Sequence, residues 1–120
     1  MGNPFCYLEL TTADLEQAKQ FYGQLFDWKL SQMPGLNLPY AMVDPGREPF
    51  GGMMKSPLPE IPNAWTIYVE VADVAQACQQ VRELGGKLLV EKREVPGYGF
   101  FAIAQDPQGA TFGLWENLQK

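Results

Sequence analysis

Histidine is absent from the 120 residues of this chain. Without an imidazole, the chain can form neither a Cys-His nor a Ser-His pair, which excludes the common nucleophilic triads. Basic residues are also few: the chain has nine lysines and arginines and fourteen aspartates and glutamates, which gives a formal net charge of −5. We expect no nucleic-acid partner, because neutralising phosphates requires a basic patch.

Cysteines and long apolar runs are equally scarce. Cys6 and Cys78 are the two cysteines of the sequence, and they form no CxxC motif. This pattern indicates neither a disulfide framework nor a zinc ribbon. The apolar runs are far shorter than the roughly 20 residues that span a bilayer, and the first residues do not resemble a signal peptide. We expect a cytoplasmic protein without a membrane partner.

One sequence pattern occurs twice in the chain. Residues 13–18 read Ala-Asp-Leu-Glu-Gln-Ala, and residues 72–77 read Ala-Asp-Val-Ala-Gln-Ala. The motif at residues 44–51, with Asp-Pro followed by Phe-Gly, recurs at residues 106–113. The two motifs repeat at nearly the same offset, which predicts a duplicated half-domain with pseudo-twofold symmetry.

The local patterns predict the same order of elements in each half. Strands are predicted at residues 5–10, 28–33, 40–43 and 50–55 of the first half, and at residues 65–71, 88–95, 100–104 and 110–115 of the second. Helices capped by Asp14 and Asp73 follow the first strand of each half. The predicted buried stripe of the first helix is Leu15, Ala18, Phe21, Tyr22, Leu25 and Phe26. The predicted buried stripe of the second helix is Val74, Ala77, Val81 and Leu84. Gly85-Gly86 is predicted to end the second helix. We therefore predict an α+β fold: one domain of residues 1–120, with tandem βαβββ units at 4–55 and 63–117 and a proline-rich linker at 56–62.

The two ends of this pattern resemble a known family. Residues 7–22 (Tyr-Leu-Glu-Leu through Phe-Tyr) and residues 106–114 (Asp-Pro-Gln-Gly-Ala-Thr-Phe-Gly-Leu) are similar to the first strand and helix, and to the last turn and strand, of the vicinal oxygen chelate superfamily. That superfamily includes glyoxalases, extradiol dioxygenases, and the fosfomycin and bleomycin resistance proteins. The resemblance implies curled mixed sheets that enclose a cleft.

The metal chemistry of the family does not follow from the resemblance. Metal-using members place ligands at positions that correspond here to Tyr7, Thr66, Gly51 and Gly113. A catalytic divalent ion binds imidazole nitrogens and carboxylate oxygens, which none of these residues provides. We therefore expect no metal and no other cofactor.

Strand alternation predicts which side chains line the cleft. One face collects Tyr7, Glu9, Gly51, Met53, Thr66, Tyr68, Glu70, Thr111, Gly113 and Trp115. The opposite, core-facing positions are Leu8, Leu10, Ile67, Val69, Val71, Phe112 and Leu114. Aromatic rings beside two carboxylates suit a flat or partly cationic small molecule.

Three functions remain open from the sequence. The first is metal-free binding of a small organic molecule, as in bleomycin-resistance-like proteins, which form their cleft at a dimer interface; we accordingly expect a homodimer. The second is a lyase or isomerase that uses Glu9 or Glu70 as acid or base, or in an unconventional metal site with Tyr7 or Tyr68. The third is a structural or regulatory protein whose cleft is vestigial. Both carboxylates could also be solvated or simply hydrogen-bonded.

Overall fold

The computed structural model describes residues 2–32, 39–56 and 58–118, and these contain two helices and eight strands. In chain order they are β1 (Phe5–Thr12), α1 (Leu15–Leu25), β2 (Lys29–Gln32), β3 (Tyr40–Asp44), β4 (Gly51–Lys55), β5 (Ala64–Glu70), α2 (Val74–Glu83), β6 (Lys87–Val95), β7 (Gly99–Gln105) and β8 (Thr111–Asn117). The predicted α+β class and element order are confirmed, with strand ends shifted by one or two residues. Met33, the predicted strand break at Pro34-Gly35, and Pro57 of the predicted linker lie outside the described residues.

Two aspartates fix the starts of the helices, as the sequence predicts. The Asp14 carboxylate accepts a hydrogen bond from the backbone N–H of Gln17 at 3.1 Å, and Asp73 accepts one from Gln76 at 3.2 Å. Both aspartates have extended backbone angles, as N-cap residues do. The same local signal therefore starts the helix in both halves.

The chain forms two compact units. The N-terminal unit comprises residues 7–66, in which the strands run in the order β2-β3-β4-β1. In this unit β1 pairs with β4 in parallel, and β3 pairs antiparallel with β2 and β4. Leu10, Leu15, Ala41, Val43 and Met53 form its buried core, with Ala18, Tyr22, Trp28 and Leu30 packed against them.

The C-terminal unit comprises the described parts of residues 1–6 and 67–120, with the strand order β5-β8-β7-β6. Its first and last strands, β5 and β8, again pair in parallel. The core consists of Val74, Cys78, Ala102 and Leu114, covered by half-buried side chains from α2, β6, β7 and β8. The repeat boundaries at 4–55 and 63–117 and the pseudo-twofold symmetry stay predictions.

A buried carboxylate also holds α2 in place. Glu116 of β8 is 9% exposed, and its Oε1 accepts a hydrogen bond from the backbone N–H of Val74 at 3.0 Å. This N–H belongs to the first turn of α2, where no helical carbonyl can reach it. The partial positive charge of the helix N-terminus favours the carboxylate there.

The predicted buried stripes are wrong at their edges. Phe21, Leu25 and Phe26 of the first stripe are 59%, 57% and 44% exposed, and Leu84 of the second is 78% exposed. A helix that packs on one sheet buries only the part of its apolar surface that faces the sheet. Ile67, predicted to be core, is 40% exposed because α2 packs on β6, β7 and β8.

Among the described residues, neither α1 nor α2 is long and apolar enough to cross a membrane.

Replacing Asp73 with alanine should destabilise the fold, because α2 loses the side-chain acceptor of its first turn. We expect the free energy of unfolding to fall by about 1 kcal/mol, measured by urea denaturation. Asp73→Asn keeps an acceptor oxygen and should lose much less. Equal losses in the two variants would show that the cap hydrogen bond is not the stabilising contact.

Candidate functional site

A hydrogen-bonded chain of two tyrosines and a glutamate lies on one face of the N-terminal unit. The Tyr40 hydroxyl donates to Glu9 Oε2 at 2.6 Å, and the Tyr7 and Tyr40 hydroxyl oxygens are 2.7 Å apart. Glu9 is 7% exposed, Tyr40 is 9% exposed, and Tyr7 is half-buried. We call these three residues the Tyr-Glu network.

The position of the network follows from strand order and alternation. Glu9 and Tyr7 come from β1 and Tyr40 from β3, and β4 lies between these strands. Gly52 of β4 pairs with Glu9 and lies under the two tyrosine hydroxyls. A methyl group at Gly52 would collide with both hydroxyls. The network therefore depends on a residue without a side chain at this position.

Burial keeps both phenols of the network protonated. It raises the pKa of Tyr40 far above its usual value, and the nearby Glu9 charge adds to this effect. Burial is also the main cause of the raised pKa of Tyr7. Since the single proton of Tyr40 is donated to Glu9, Tyr7 must be the donor in the bond between the two hydroxyls. Tyr7 thus donates to Tyr40, and Tyr40 donates to the carboxylate.

The C-terminal unit has a second polar chain beside aromatic rings. Trp115 Nε1 donates to Asn117 Oδ1 at 2.7 Å, and Asn117 Nδ2 donates to Glu70 Oε2 at 3.1 Å. Glu70 and Trp115 are paired in the β5–β8 register, and all three residues are half-buried. The Trp115 ring lies over Gly99 of β7. Glu70 is therefore held beside an indole ring.

Tyr68 fills the same face next to this chain. It is 3% exposed, it pairs with Gly113, and its ring lies where a Gly113 side chain would be. Because Gly113 has no side chain, the Tyr68 ring occupies the space above it. Thr111 lies farther along β8, where its hydroxyl accepts from Gln105 Nε2 at 3.5 Å. Thr66 is 5% exposed, on the same side of β5 as Tyr68 by alternation.

Two predicted cleft residues lie on the wrong face. Met53 is fully buried among the core residues that pack against α1, and Gly51 shares its side of β4 by alternation. Gly52 is the residue that faces the Tyr-Glu network. The prediction was wrong by one position because Gly51-Gly52 carries no side-chain pattern, and a slip of one residue reverses the face.

The sequence did not predict that Tyr40 and Asn117 belong to these two hydrogen-bonded groups of side chains. For Tyr40 no alternating pattern was available, because Ala41, Met42 and Val43 are all apolar. In the structure Ala41 and Val43 face the core. Alternation then places Tyr40 on the opposite face, with Glu9. Asn117 lies beyond residue 115, the predicted end of its strand, so strand alternation did not assign it to a face of the sheet.

Cys6 is held as a thiol. Its Sγ donates to the Tyr68 carbonyl oxygen at 3.6 Å, and burial, aided by the Glu70 charge, raises the pKa of Cys6 to about 11. Burial likewise raises the pKa of Cys78. Because the thiolate is the reactive form, neither residue is suited to nucleophilic attack at neutral pH.

The donor set does not fit a divalent metal ion. Across the described ranges, no three or more Cys, Asp or Glu side chains come together as a ligand group. Glu9 supplies one carboxylate, and the neighbouring Tyr7 and Tyr40 keep their protons. A protonated phenol is a poor ligand beside the imidazole and carboxylate groups that catalytic metals prefer.

Replacing Gly52 with alanine should destabilise the N-terminal unit, because the added methyl group collides with the Tyr7 and Tyr40 hydroxyls. We expect a loss of about 1–3 kcal/mol in the free energy of unfolding, typical of overpacking. Urea denaturation measures the loss. The control is Gly23→Ala in α1, where the added methyl group meets only Leu30 at an ordinary 3.7 Å. Unchanged stability of Gly52→Ala would contradict the close approach of the two hydroxyls.

Comparison with known proteins gives both sequence and structural relatives. "Putative glyoxylase CFP32" of Mycobacterium tuberculosis is 33% identical over 109 residues, which cover 88% of this chain and 41% of that protein. "Anthracycline biosynthesis protein DnrV" of Streptomyces peucetius is 25% identical over 127 residues, covering 91% of this chain and 45% of that protein. This chain thus spans less than half the length of these curated relatives.

Solved structures share the fold at low sequence identity. Hypothetical protein BH1468 of Bacillus halodurans is similar with a TM-score of 0.68 and 16% identity, covering 100% of this chain and 98% of that one. Methylmalonyl-CoA epimerase of Mycobacterium tuberculosis has a TM-score of 0.63 and 15% identity, with coverages of 94% and 87%. Residues 5–114 match the model of the Glyoxalase/Bleomycin resistance protein/Dioxygenase superfamily. The chain belongs to this superfamily.

Proposed function

We propose that this protein binds a small aromatic or cationic organic molecule without a metal ion, and sequesters it rather than transforming it. The observation that carries this proposal is the Tyr-Glu network, in which a carboxylate with 7% exposure lies beside two phenol rings. A cation is attracted both to the carboxylate and to the faces of the rings. Low exposure strengthens the attraction, because little water screens it.

The C-terminal unit offers the same combination of groups. Glu70 is tied through Asn117 to the half-buried Trp115. An indole ring held in place by a hydrogen bond is a surface on which a flat ring can stack. Each unit thus supplies one carboxylate and aromatic surface on the predicted ligand-binding face.

The protonation of the site favours binding over catalysis. Tyr7, Tyr40 and Cys6 all hold their protons at neutral pH, because burial raises their pKa values. None of them is then available as a base or a nucleophile. The relative named for anthracycline biosynthesis supports a fused aromatic ring system as the class of ligand.

A lyase or isomerase that uses Glu9 or Glu70 is the second candidate. Its support is the buried position of Glu9 next to the proton of Tyr40, an arrangement suited to proton transfer. The relative named as a glyoxylase points the same way. Product formation from the hemithioacetal of methylglyoxal and glutathione, abolished in Glu9→Gln, would place this candidate first.

Daunorubicin combines a flat ring system with a protonated amine and is a suitable probe. We expect saturable binding, measured by the change in its fluorescence anisotropy. Glu9→Gln should weaken binding by about tenfold to a hundredfold, because hydrogen bonds to a charged group contribute about 1.5–3 kcal/mol. Daunorubicinone, the neutral aglycone without the amino sugar, should bind more weakly and be insensitive to this substitution.

The matched control is Glu60→Gln, which removes an exposed carboxylate from the same unit. It should leave the affinity for daunorubicin unchanged. Equal weakening in Glu9→Gln and Glu60→Gln would reflect net charge alone and contradict a site at Glu9. Linear, unsaturable titrations with both compounds would contradict the proposed ligand class.

Added metal ions should not stabilise the chelator-treated protein. We expect no rise in melting temperature with Mn²⁺, Fe²⁺, Co²⁺, Ni²⁺ or Zn²⁺, because ligands must deprotonate to bind a metal and the network tyrosines keep their protons. Specific binding to the folded state would raise the melting temperature by mass action. A saturable rise with one metal that disappears in Glu9→Gln or Glu70→Gln would favour metal-dependent chemistry instead.

A further inference from the structure

Four side chains of the C-terminal unit form a row across all four strands of its sheet. Arg93 of β6 pairs with Phe101 of β7, which pairs with Trp115 of β8. Trp115 in turn pairs with Glu70 of β5. Residues that are directly opposite each other on neighbouring strands project from the same face of a sheet. We call these four residues the charged row, because a guanidinium ends it on one side and a carboxylate on the other.

The charged row lies on the face of the sheet that is turned away from α2. Ala102 and Leu114, the residues next to Phe101 and Trp115 in the chain, pack in the core with residues of α2. Alternation along β7 and β8 therefore directs Phe101 and Trp115 to the opposite face. This is the face predicted to bind the ligand.

Arg93 differs from the two charged residues before it in β6, because those already have partners on the helix side. Arg82 Nη2 of α2 is 2.8 Å from Glu91 Oε1. Lys92 Nζ is 4.4 Å from the centroid of the Phe100 ring, which packs against the core. Within the described part of the chain Arg93 forms no ion pair with a carboxylate, and it is exposed. Its guanidinium is therefore available to a ligand.

Phe101 and Trp115 supply aromatic surface between the two charged ends. Both residues are half-buried. The Trp115 ring is fixed by the 2.7 Å hydrogen bond from its Nε1 to Asn117 Oδ1, and it lies over Gly99. A ring that is held against the sheet on one side offers its other face for the stacking of a flat molecule.

The corresponding row of the N-terminal unit has a different composition. Counted from Glu9 through β4, β3 and β2, it continues with Gly52, Met42 and Ser31. None of these three positions carries a ring or a positive charge. The strand order common to both units therefore does not by itself produce the charged row, which is particular to the C-terminal unit.

A guanidinium at the end of the row favours a carboxylate as the acidic group of the ligand. Arginine donates two parallel hydrogen bonds to the two oxygens of a carboxylate, a geometry that lysine lacks. A phosphate with two negative charges fits less well, because the chain has a net charge of −5 and Arg93 is the one cation of the row. Glu70, at the other end, attracts a positive charge.

We propose that the charged row binds a zwitterionic aromatic acid, with its carboxylate on Arg93, its ring system on Trp115 and its positive charge toward Glu70. This ligand class rests on the proposed function and narrows it from aromatic or cationic compounds to compounds that also carry a carboxylate. Three strand spacings of about 4.8 Å separate the ends of the row by about 14 Å. The long side chains at both ends shorten the distance that a ligand must span.

Rhodamine B and its ethyl ester test the proposal, because both are flat fluorescent cations and only the acid carries a carboxylate. We expect fluorescence anisotropy to show saturable binding of both dyes, with the acid bound more tightly. The net charge of the chain would by itself favour the ester. Arg93→Gln should reduce the affinity ratio of acid to ester about tenfold, as for the loss of a charge-assisted hydrogen bond.

The matched control is Lys92→Gln, which removes the same charge from the neighbouring residue, whose side chain lies on the helix side. It should leave the affinity ratio unchanged. Circular dichroism verifies the fold of each variant. Arg93→Lys keeps the charge but loses the paired donors, so it should reduce the ratio in part, and it replaces Arg93→Gln if that variant is unfolded.

The outcomes for the ligand class and for the proposed function differ. Saturable binding of both dyes, with the same affinity ratio in Arg93→Gln and Lys92→Gln, would overturn the zwitterionic ligand and leave the proposed function in place. Binding of daunorubicin but of neither dye would have the same meaning. The absence of saturable binding of daunorubicin and of both dyes would overturn the two together.

Discussion

The parallel pairing of the first and last strands of each unit constrains the rest of the candidate site. It places Gly52 beside Glu9 in one unit and Gly113 beside Tyr68 in the other. In both cases the glycine leaves space that the neighbouring aromatic side chains occupy. Large side chains can lie flat on the sheet only because the strand beneath them has none at that position. Glycine, rather than a metal ligand, thus determines how these faces are filled.

This filling has an electrostatic consequence. Tyr40 donates its proton to Glu9 and Tyr7 donates to Tyr40, and the burial of both tyrosines keeps those protons in place. A buried carboxylate requires such donors, since an unpaired charge away from water is costly. The same arrangement stabilises the unit and concentrates negative charge beside aromatic rings. Stability and the proposed affinity for cationic or aromatic compounds therefore have a common physical origin.

On the other face of the N-terminal unit, part of the apolar surface of α1 is exposed. The apolar stripe of α1 is wider than the sheet that it covers, so Leu15 is buried whereas Phe21 and Leu25 remain at the surface. Trp65 extends this apolar surface and holds Tyr22 by a hydrogen bond. A stripe that is wider than the internal core leaves its outer side chains exposed.

The sequence by itself determined the order of the elements, both helix starts and the family, because these depend on local signals such as the caps at Asp14 and Asp73. It also placed Tyr7 with Glu9 on one face of β1, and Tyr68 with Glu70 on one face of β5, because alternation along a strand is local. Tertiary structure alone decided that Gly52 and not Gly51 faces the network, and that Tyr40 completes it. No single segment of the sequence encodes the register between strands that are distant along the chain. Nor does a single segment encode the width of the surface on which a helix packs.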